Sequence, residues 1–321
     1  MNKPVIYISR KLPKSLLEPY SDRFTFHMWD QEDKPVDKEE LLKESKKADG
    51  LITMLTEKID DRFLRENPQL KIIANLAVGF DNIDIMAAKK HHIIVTNTPD
   101  VLTETTADLT FALLMATARR MVEANDLIKQ DGWEVWSPFF LAGSDVHHKT
   151  IGIVGMGRIG EAVARRARGF DMRVLYHNRS RKPQAEKDLP ATYVNFDELL
   201  TQSDFVVSLI PATEQTKGLF NHDIFLKMKT EAIFINASRG AVVNELDLAS
   251  ALENGVIKGA GLDVFSREPI GSDHTLLALK NAVCLPHIGS ATVQTRKDMV
   301  RLCLDNLDSY FYGDGPKTPV Q

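Results

Sequence analysis

Short β-type runs separated by stretches of helical periodicity fill almost the whole chain, and no other feature restricts its fold as much. Five such runs come first: "VIYIS" (5–9), "FTFHM" (24–28), "GLITM" (50–54), "KIIANLA" (71–77) and "IIVTN" (93–97). Six more follow: "TIGIVG" (150–155), "RVLYH" (173–177), "FVVSLI" (205–210), "AIFIN" (232–236), "GAGLDVF" (259–265) and "AVCLP" (282–286). Strands that alternate with helices pair in parallel, because a parallel neighbour is reached only through a crossover. The expected class is therefore α/β. The runs exceed what one compact domain holds, so two doubly wound domains are expected.

Between the two sets lies "TETTADLTFALLMATARRMVEANDLIKQDG" (103–132), read as one long helix. Thr105 and Asp108 have capping-box-like spacing, and Gly132 is a suitable C-terminal stop. Its apolar residues occupy more than one face, which predicts burial on all sides, between domains or subunits or as a core helix. Prolines just past strands mark hinges at 97–104 and 284–292, and the tail 312–321 reads as a loop.

Composition works by exclusion. A formal charge of −4 gives no footprint for nucleic acid and no polybasic membrane patch. The two cysteines, Cys284 and Cys303, lack CxxC spacing, so a disulfide framework and a zinc–thiolate site are not expected and a reducing cytoplasm fits. The start of the chain lacks a signal-peptide core, and the run at 109–118 is too short to span a bilayer. The pairs His91-His92 and His147-His148 have no supporting ligand spacing, and no metal site is expected.

"GMGRIG" (155–160) sits where a strand turns into a helix and is followed by a second strand, the context a dinucleotide-binding loop requires. Gly155 would permit the turn, Gly157 the approach of a pyrophosphate, and Gly160 close helix–sheet packing. Met156, Arg158 and Ile159 complete the loop, whose helix end offers N–H groups and a positive dipole to phosphates. About twenty residues on, an NAD-binding unit carries a carboxylate for the ribose 2′-hydroxyl. Asn178 stands there instead, followed by Arg179, Ser180, Arg181 and Lys182. A carboxylate would repel a 2′-phosphate by about 4 kcal/mol at 4 Å and an effective dielectric near 20. Asn178 removes that repulsion, and Arg179 and Ser180 can donate to phosphate oxygens. The expected cofactor is NADP(H), with NAD(H) as the alternative.

Arg239, Glu268 and His287 each follow a different strand of the second set, and ligand sites in open α/β sheets lie at the carboxyl ends of strands. Arginine can hold a carboxylate and polarise a carbonyl. Histidine can supply the proton that carbonyl reduction needs, and a neighbouring glutamate would orient it and favour its charged form. Singly, each also reads as an ordinary surface or loop residue.

"GMGRIG", "INASRGAVVNELDLASAL", "GAGLDVFSREP" and "LPHIGSAT", in order and in register, resemble the D-isomer-specific 2-hydroxyacid dehydrogenases, most closely the glyoxylate/hydroxypyruvate reductase branch, over nearly the whole chain. The resemblance implies a Rossmann-type cofactor domain (101–287) inserted in a flavodoxin-like substrate domain (1–100 and 288–321). It assigns Arg239 to the substrate carboxylate, His287 to proton donation and Glu268 to its support. It implies carboxylate binding by the backbone N–H groups of Val78 and Gly79, with Leu55 and Trp136 around the pocket. Pro211 and Thr216 are implied near the cofactor, and Ala237, Arg239, Asp263 and Thr106 near its nicotinamide. It also implies a homodimer, with the loop 129–145 crossing to the partner. His148 departs from the glycine many relatives carry; a positive φ there would be tolerated with some strain. The expected reaction is NADPH-dependent reduction of glyoxylate or hydroxypyruvate. The alternatives are a reductase for a longer acid such as 2-ketogluconate, or a catalytically silent nicotinamide sensor resembling a corepressor.

Overall fold

The computed structural model describes residues 3–320. The chain forms two compact units, one taking it to Leu102 and again from Ala291, the other running Thr103–Ser290.

In the first unit, β1 (Val5–Ile8), β2 (Thr25–Met28), β3 (Gly50–Thr53), β4 (Ile72–Asn75) and β5 (Ile94–Thr96) lie parallel in the order β2-β1-β3-β4-β5, the flavodoxin-like arrangement. Ile6, Ile8, Leu51, Ile52 and Ile72 are wholly buried, as a parallel sheet covered on both faces requires. Asp37, Asp60 and Asp84 start successive helices, each accepting the backbone N–H three residues on. The helix Val293–Tyr312 packs against β4. The tail is not the loop expected: Pro319–Val320 adds an antiparallel strand to β5, and Asn306 holds Thr318 by its side chain. A two-residue pairing led by proline leaves no periodicity to read.

The second unit contains β6 (Thr150–Val154), β7 (Arg173–His177), β8 (Thr192–Tyr193), β9 (Phe205–Ser208), β10 (Ile233–Asn236), β11 (Gly259–Leu262) and β12 (Ala282–Cys284). All are parallel, in the order β8-β7-β6-β9-β10-β11-β12. Strand order reverses between β6 and β9, the Rossmann switch point, which opens a crevice at the strands' carboxyl ends. The long helix expected over 103–132 is two helices, Thr103–Ala118 and Met121–Lys129. Arg120 adopts a left-handed φ of 52°, and the Ala118 carbonyl accepts the Ser144 N–H, so the first helix stops there. Asp108 lies inside that helix and pairs with Arg166 rather than capping. The first helix packs on β10, β11 and the helix Arg158–Arg168, which buries Phe111, Leu113 and Leu114, while Leu109 and Ala116 are half-buried and Ala112 is exposed.

Candidate active site

The glycine loop leaves β6 at the switch point. Gly155 has φ 105°, and a Cβ there would stand 2.6 Å from the Leu209 carbonyl oxygen, so this turn excludes any side chain. A Cβ on Gly160 would collide with the Gly155 carbonyl, whereas one on Gly157 would meet nothing within 4 Å. Gly157 is thus open where a ligand would approach. It also begins the helix Arg158–Arg168 without a side-chain cap, the kind of helix start at which anions bind. Met156 is buried, Arg158 is exposed, and Ile159 packs on the core. These residues fit a dinucleotide pyrophosphate.

At the end of β7, Asn178 is not simply a missing carboxylate. Its Oδ1 accepts the Met156 N–H at 2.7 Å, tying the strand end to the glycine loop. Beyond it the basic residues divide. Arg181 forms two hydrogen bonds with Glu186, 2.6 and 2.7 Å, and Tyr176 adds a third to the same carboxylate. Arg181 and then Tyr176 hold the Glu186 carboxyl down at about 2. Arg179 and Ser180 are exposed.

Three loops at the ends of β10, β11 and β12 bring Arg239, Glu268 and His287 together. Asn236, buried at the end of β10, curls the first: its Oδ1 accepts the Ser238 N–H and hydroxyl, and its Nδ2 donates to the Arg239 carbonyl at 3.0 Å. Arg239 donates to the Ser238 carbonyl, and Ala237 is half-buried beside it. Gly240 then lies against the backbone of Phe265 and Ser266 so closely that a Cβ has no room. The Glu268 carboxylate accepts the Phe265 N–H at 2.9 Å on one oxygen and meets His287 Nδ1 at 2.7 Å on the other. Nδ1 so engaged leaves Nε2 for a ligand. Burial pushes the Glu268 carboxyl up, but the His287 hydrogen bond and charge, the Phe265 N–H and Arg239 together hold it below the ordinary value.

His287 itself has φ 53°, a conformation uncommon for a residue with a side chain. The segment after it is held by Asp263, 1% exposed, whose two carboxylate oxygens accept the Ile288 and Gly289 N–H groups, each at 2.8 Å. Burial raises the Asp263 carboxyl; those two bonds and His287 oppose the rise without cancelling it. Under the Glu268 turn, Glu245 accepts the Ser266 N–H and hydroxyl and approaches His274 Nε2 at 3.2 Å. Asn236, Glu245 and His274 were not singled out from the sequence. The only signal was an asparagine at a strand's carboxyl end, a common place for a side chain that shapes a turn.

The remaining expected residues are placed as follows. Thr106 is buried, its methyl near Gly289. The Thr216 hydroxyl donates to the Pro211 carbonyl at 2.7 Å, closing that loop on itself. In the first unit, Val78 and Gly79 are half-buried and Leu55 is exposed. Trp136 is 73% exposed in a stretch without regular structure. His148 has φ 60°. Among the described residues no group of three or more His, Cys, Asp or Glu could hold a metal ion, and no helix is long and apolar enough to cross a membrane.

Comparison with known proteins agrees on one family. The model of "D-isomer specific 2-hydroxyacid dehydrogenase, NAD binding domain" matches residues 111–289. A glyoxylate reductase of Thermococcus kodakarensis is 46% identical over 322 residues, covering 99% of this chain and 96% of that protein. A glyoxylate/hydroxypyruvate reductase B of Escherichia fergusonii is 46% identical over 319 residues, covering 99% and 98%. Among solved structures, an NADPH-dependent glyoxylate/hydroxypyruvate reductase from Sinorhizobium meliloti, crystallised with NADP and malonate, superposes with a TM-score of 0.85 at 32% identity, covering 99% of this chain and 97% of that one.

Proposed function

The chain belongs to the D-isomer specific 2-hydroxyacid dehydrogenase family, and from that premise we propose that this oxidoreductase reduces glyoxylate or hydroxypyruvate to the 2-hydroxy acid, with NADPH preferred. The observation that carries the reading is the 2.7 Å contact between His287 Nδ1 and Glu268, with Arg239 on the neighbouring loop close enough to act on the Glu268 charge.

When bound, the reduced nicotinamide supplies a hydride to the substrate's C2. Arg239 holds the substrate carboxylate and polarises the neighbouring carbonyl. His287, with Nδ1 on Glu268, gives the proton on Nε2 to the developing alkoxide oxygen. Glu268, kept ionised by its surroundings, balances the imidazolium and fixes its orientation. Val78 and Gly79 are assigned to the carboxylate through their N–H groups. Asn178, Arg179 and Ser180 are assigned to the 2′-phosphate, and a homodimer is part of the same reading.

Initial rates of reduced-nicotinamide oxidation test it, run with NADPH and NADH against glyoxylate, hydroxypyruvate and 2-ketogluconate. The expected result is faster turnover with NADPH and either small acid. Preference for NADH would remove the 2′-phosphate assignment, and preference for 2-ketogluconate would remove the substrate assignment. No turnover in protein that binds NADPH would replace the enzyme reading by that of a sensor.

A further inference from the structure

The segment "NLAVGFDN" (75–82) leaves β4 in the first unit, and the groups that hold it change from N–H to carbonyl partway along. Leu76 N–H donates to the Thr53 carbonyl and Ala77 N–H to that of Asn75, both at 2.8 Å. The next three peptides are held by their carbonyls instead. The Ala77 carbonyl accepts the Thr98 N–H at 2.9 Å, the Val78 carbonyl accepts Asn97 Nδ2 at 2.8 Å, and the Gly79 carbonyl accepts Asn75 Nδ2 at 2.9 Å. In a trans peptide the N–H points opposite the C=O. Fixing each carbonyl on its partner points the N–H of the same peptide, that of Val78, Gly79 or Phe80, away from that partner, and none of the three makes a backbone or side-chain hydrogen bond among the described residues. Successive N–H groups without an internal partner in a turn are the donors from which anion sites are built.

Asn75 is wholly buried, and its amide can point only one way. The Gly79 carbonyl can only accept, which commits Nδ2 to it and leaves Oδ1 to accept the Thr53 hydroxyl at 3.0 Å. Asn82 stands beside it, donating to the Met54 and Glu57 carbonyls at 3.1 Å, and blocks rotation. The peptide that Asn75 holds is the one whose N–H belongs to Phe80.

We propose that the Phe80 N–H is a third donor to the substrate carboxylate, beside those of Val78 and Gly79, and that Asn75 is the positioning residue that aims it. The inference rests on the reading of this chain as a 2-keto-acid reductase.

Binding of oxamate, an unreactive 2-keto-acid analogue, to the NADPH complex tests it by nicotinamide fluorescence, which does not need turnover. Asn75→Asp removes the donor and sets a charge against the Gly79 carbonyl. It is expected to weaken oxamate roughly ten- to a hundredfold, the range for one hydrogen bond to a charged group, and to raise KM for glyoxylate in parallel. NADPH affinity and kcat at saturation should stay within about threefold, whereas a merely structural role would move them together. Asn97→Ser, acting on the Gly79 N–H, should weaken oxamate similarly. In wild-type protein labelled with nitrogen-15 phenylalanine, the Phe80 amide should shift downfield on adding oxamate, a readout independent of whether Asn75→Asp folds. Unchanged oxamate affinity in folded Asn75→Asp, or an unmoved Phe80 amide in oxamate-saturated protein, overturns the proposal. Arg239→Gln separates the two levels. If it weakens oxamate while Asn75→Asp does not, only this inference falls; if wild-type protein binds no oxamate, the functional reading falls with it.

Discussion

Arg179 and Arg181 are two positions apart with the same side chain, yet their neighbours give them different work. Arg181 is committed to Glu186 through two charge-assisted bonds, and moving it to a phosphate would leave that carboxylate with only Tyr176. Arg179 is exposed on the strand-end turn. Arg179→Ala is therefore expected to raise KM for NADPH about tenfold or more and leave NADH little changed, while Arg181→Ala moves either by less than about threefold. Steady-state kinetics with both nucleotides decide it. The two carboxylates around His287 differ in a similar way. Glu268 is depressed below the ordinary 4.5, so its ionised form stabilises the fold above that pH, and the contribution disappears as pH falls through its lower folded value. Asp263 is raised above 3.8, so the folded state loses stability as pH rises from 3.8 through its folded value. Melting curves across this acid range should show the wild-type advantage over Glu268→Gln growing with pH, and that over Asp263→Asn shrinking. Slopes of the same sign would contradict the opposed shifts.

Among the elements, the turn after β11 decides whether Glu268 reaches His287, and a helix anchors it from below. Glu245, in the first turn of Glu245–Glu253, accepts two hydrogen bonds from Ser266 and one from His274. Glu245→Gln retains one acceptor oxygen and loses the charge. We expect kcat to fall about tenfold with NADPH affinity unchanged, since the glycine loop is a separate element, and Glu245→Asp to recover part of the loss. Equal kcat in wild type and Glu245→Gln would show that the turn holds without it. Such supports mark the limit of sequence reading. The strands were legible because runs such as "FVVSLI" are continuously apolar in a sheet covered on both sides. Arg239, Glu268 and His287 were legible because each stands just beyond such a run. The helix break at Arg119-Arg120 was not, since no glycine or proline marks it and its cause, the Ser144 N–H, lies far along the chain. Nor was Asn75: its role depends on which way three carbonyls point, and carbonyl direction leaves no trace in residue type.

For the whole molecule, the stretch after the second helix of the Thr103–Ser290 unit asks for something to cover it. Trp133, Val135, Trp136, Phe139 and Phe140 are all exposed, Phe139 at 86%, within eight residues that have no regular structure. Met121, Val122 and Ile128 on the preceding helix are exposed as well. Isolated apolar residues on a surface are ordinary, but a dense run of large ones marks an interaction site. In the proposed homodimer a second copy covers it, and two-fold symmetry makes each substitution count twice. A buried aromatic side chain contributes a few kcal/mol by its area, and only part of that appears as affinity. Phe139→Asp, which also strands a charge in the interface, is expected to weaken dimerisation by at least about a hundredfold, or about 2.7 kcal/mol. Sedimentation velocity should then show wild-type dimer and variant monomer at the same micromolar concentration. The Phe139→Asp monomer should keep the wild-type far-ultraviolet circular dichroism, because Phe139 lies outside both cores of its unit, and melt lower by the association it has lost. Trp136→Ala answers the separate question of whether the arm also shapes a substrate pocket. A dimer with raised KM for glyoxylate would assign Trp136 to the pocket, whereas a dimer with unchanged KM would confine the arm to assembly. Monomeric wild-type protein would leave this surface for a different partner and remove the homodimer from the proposal.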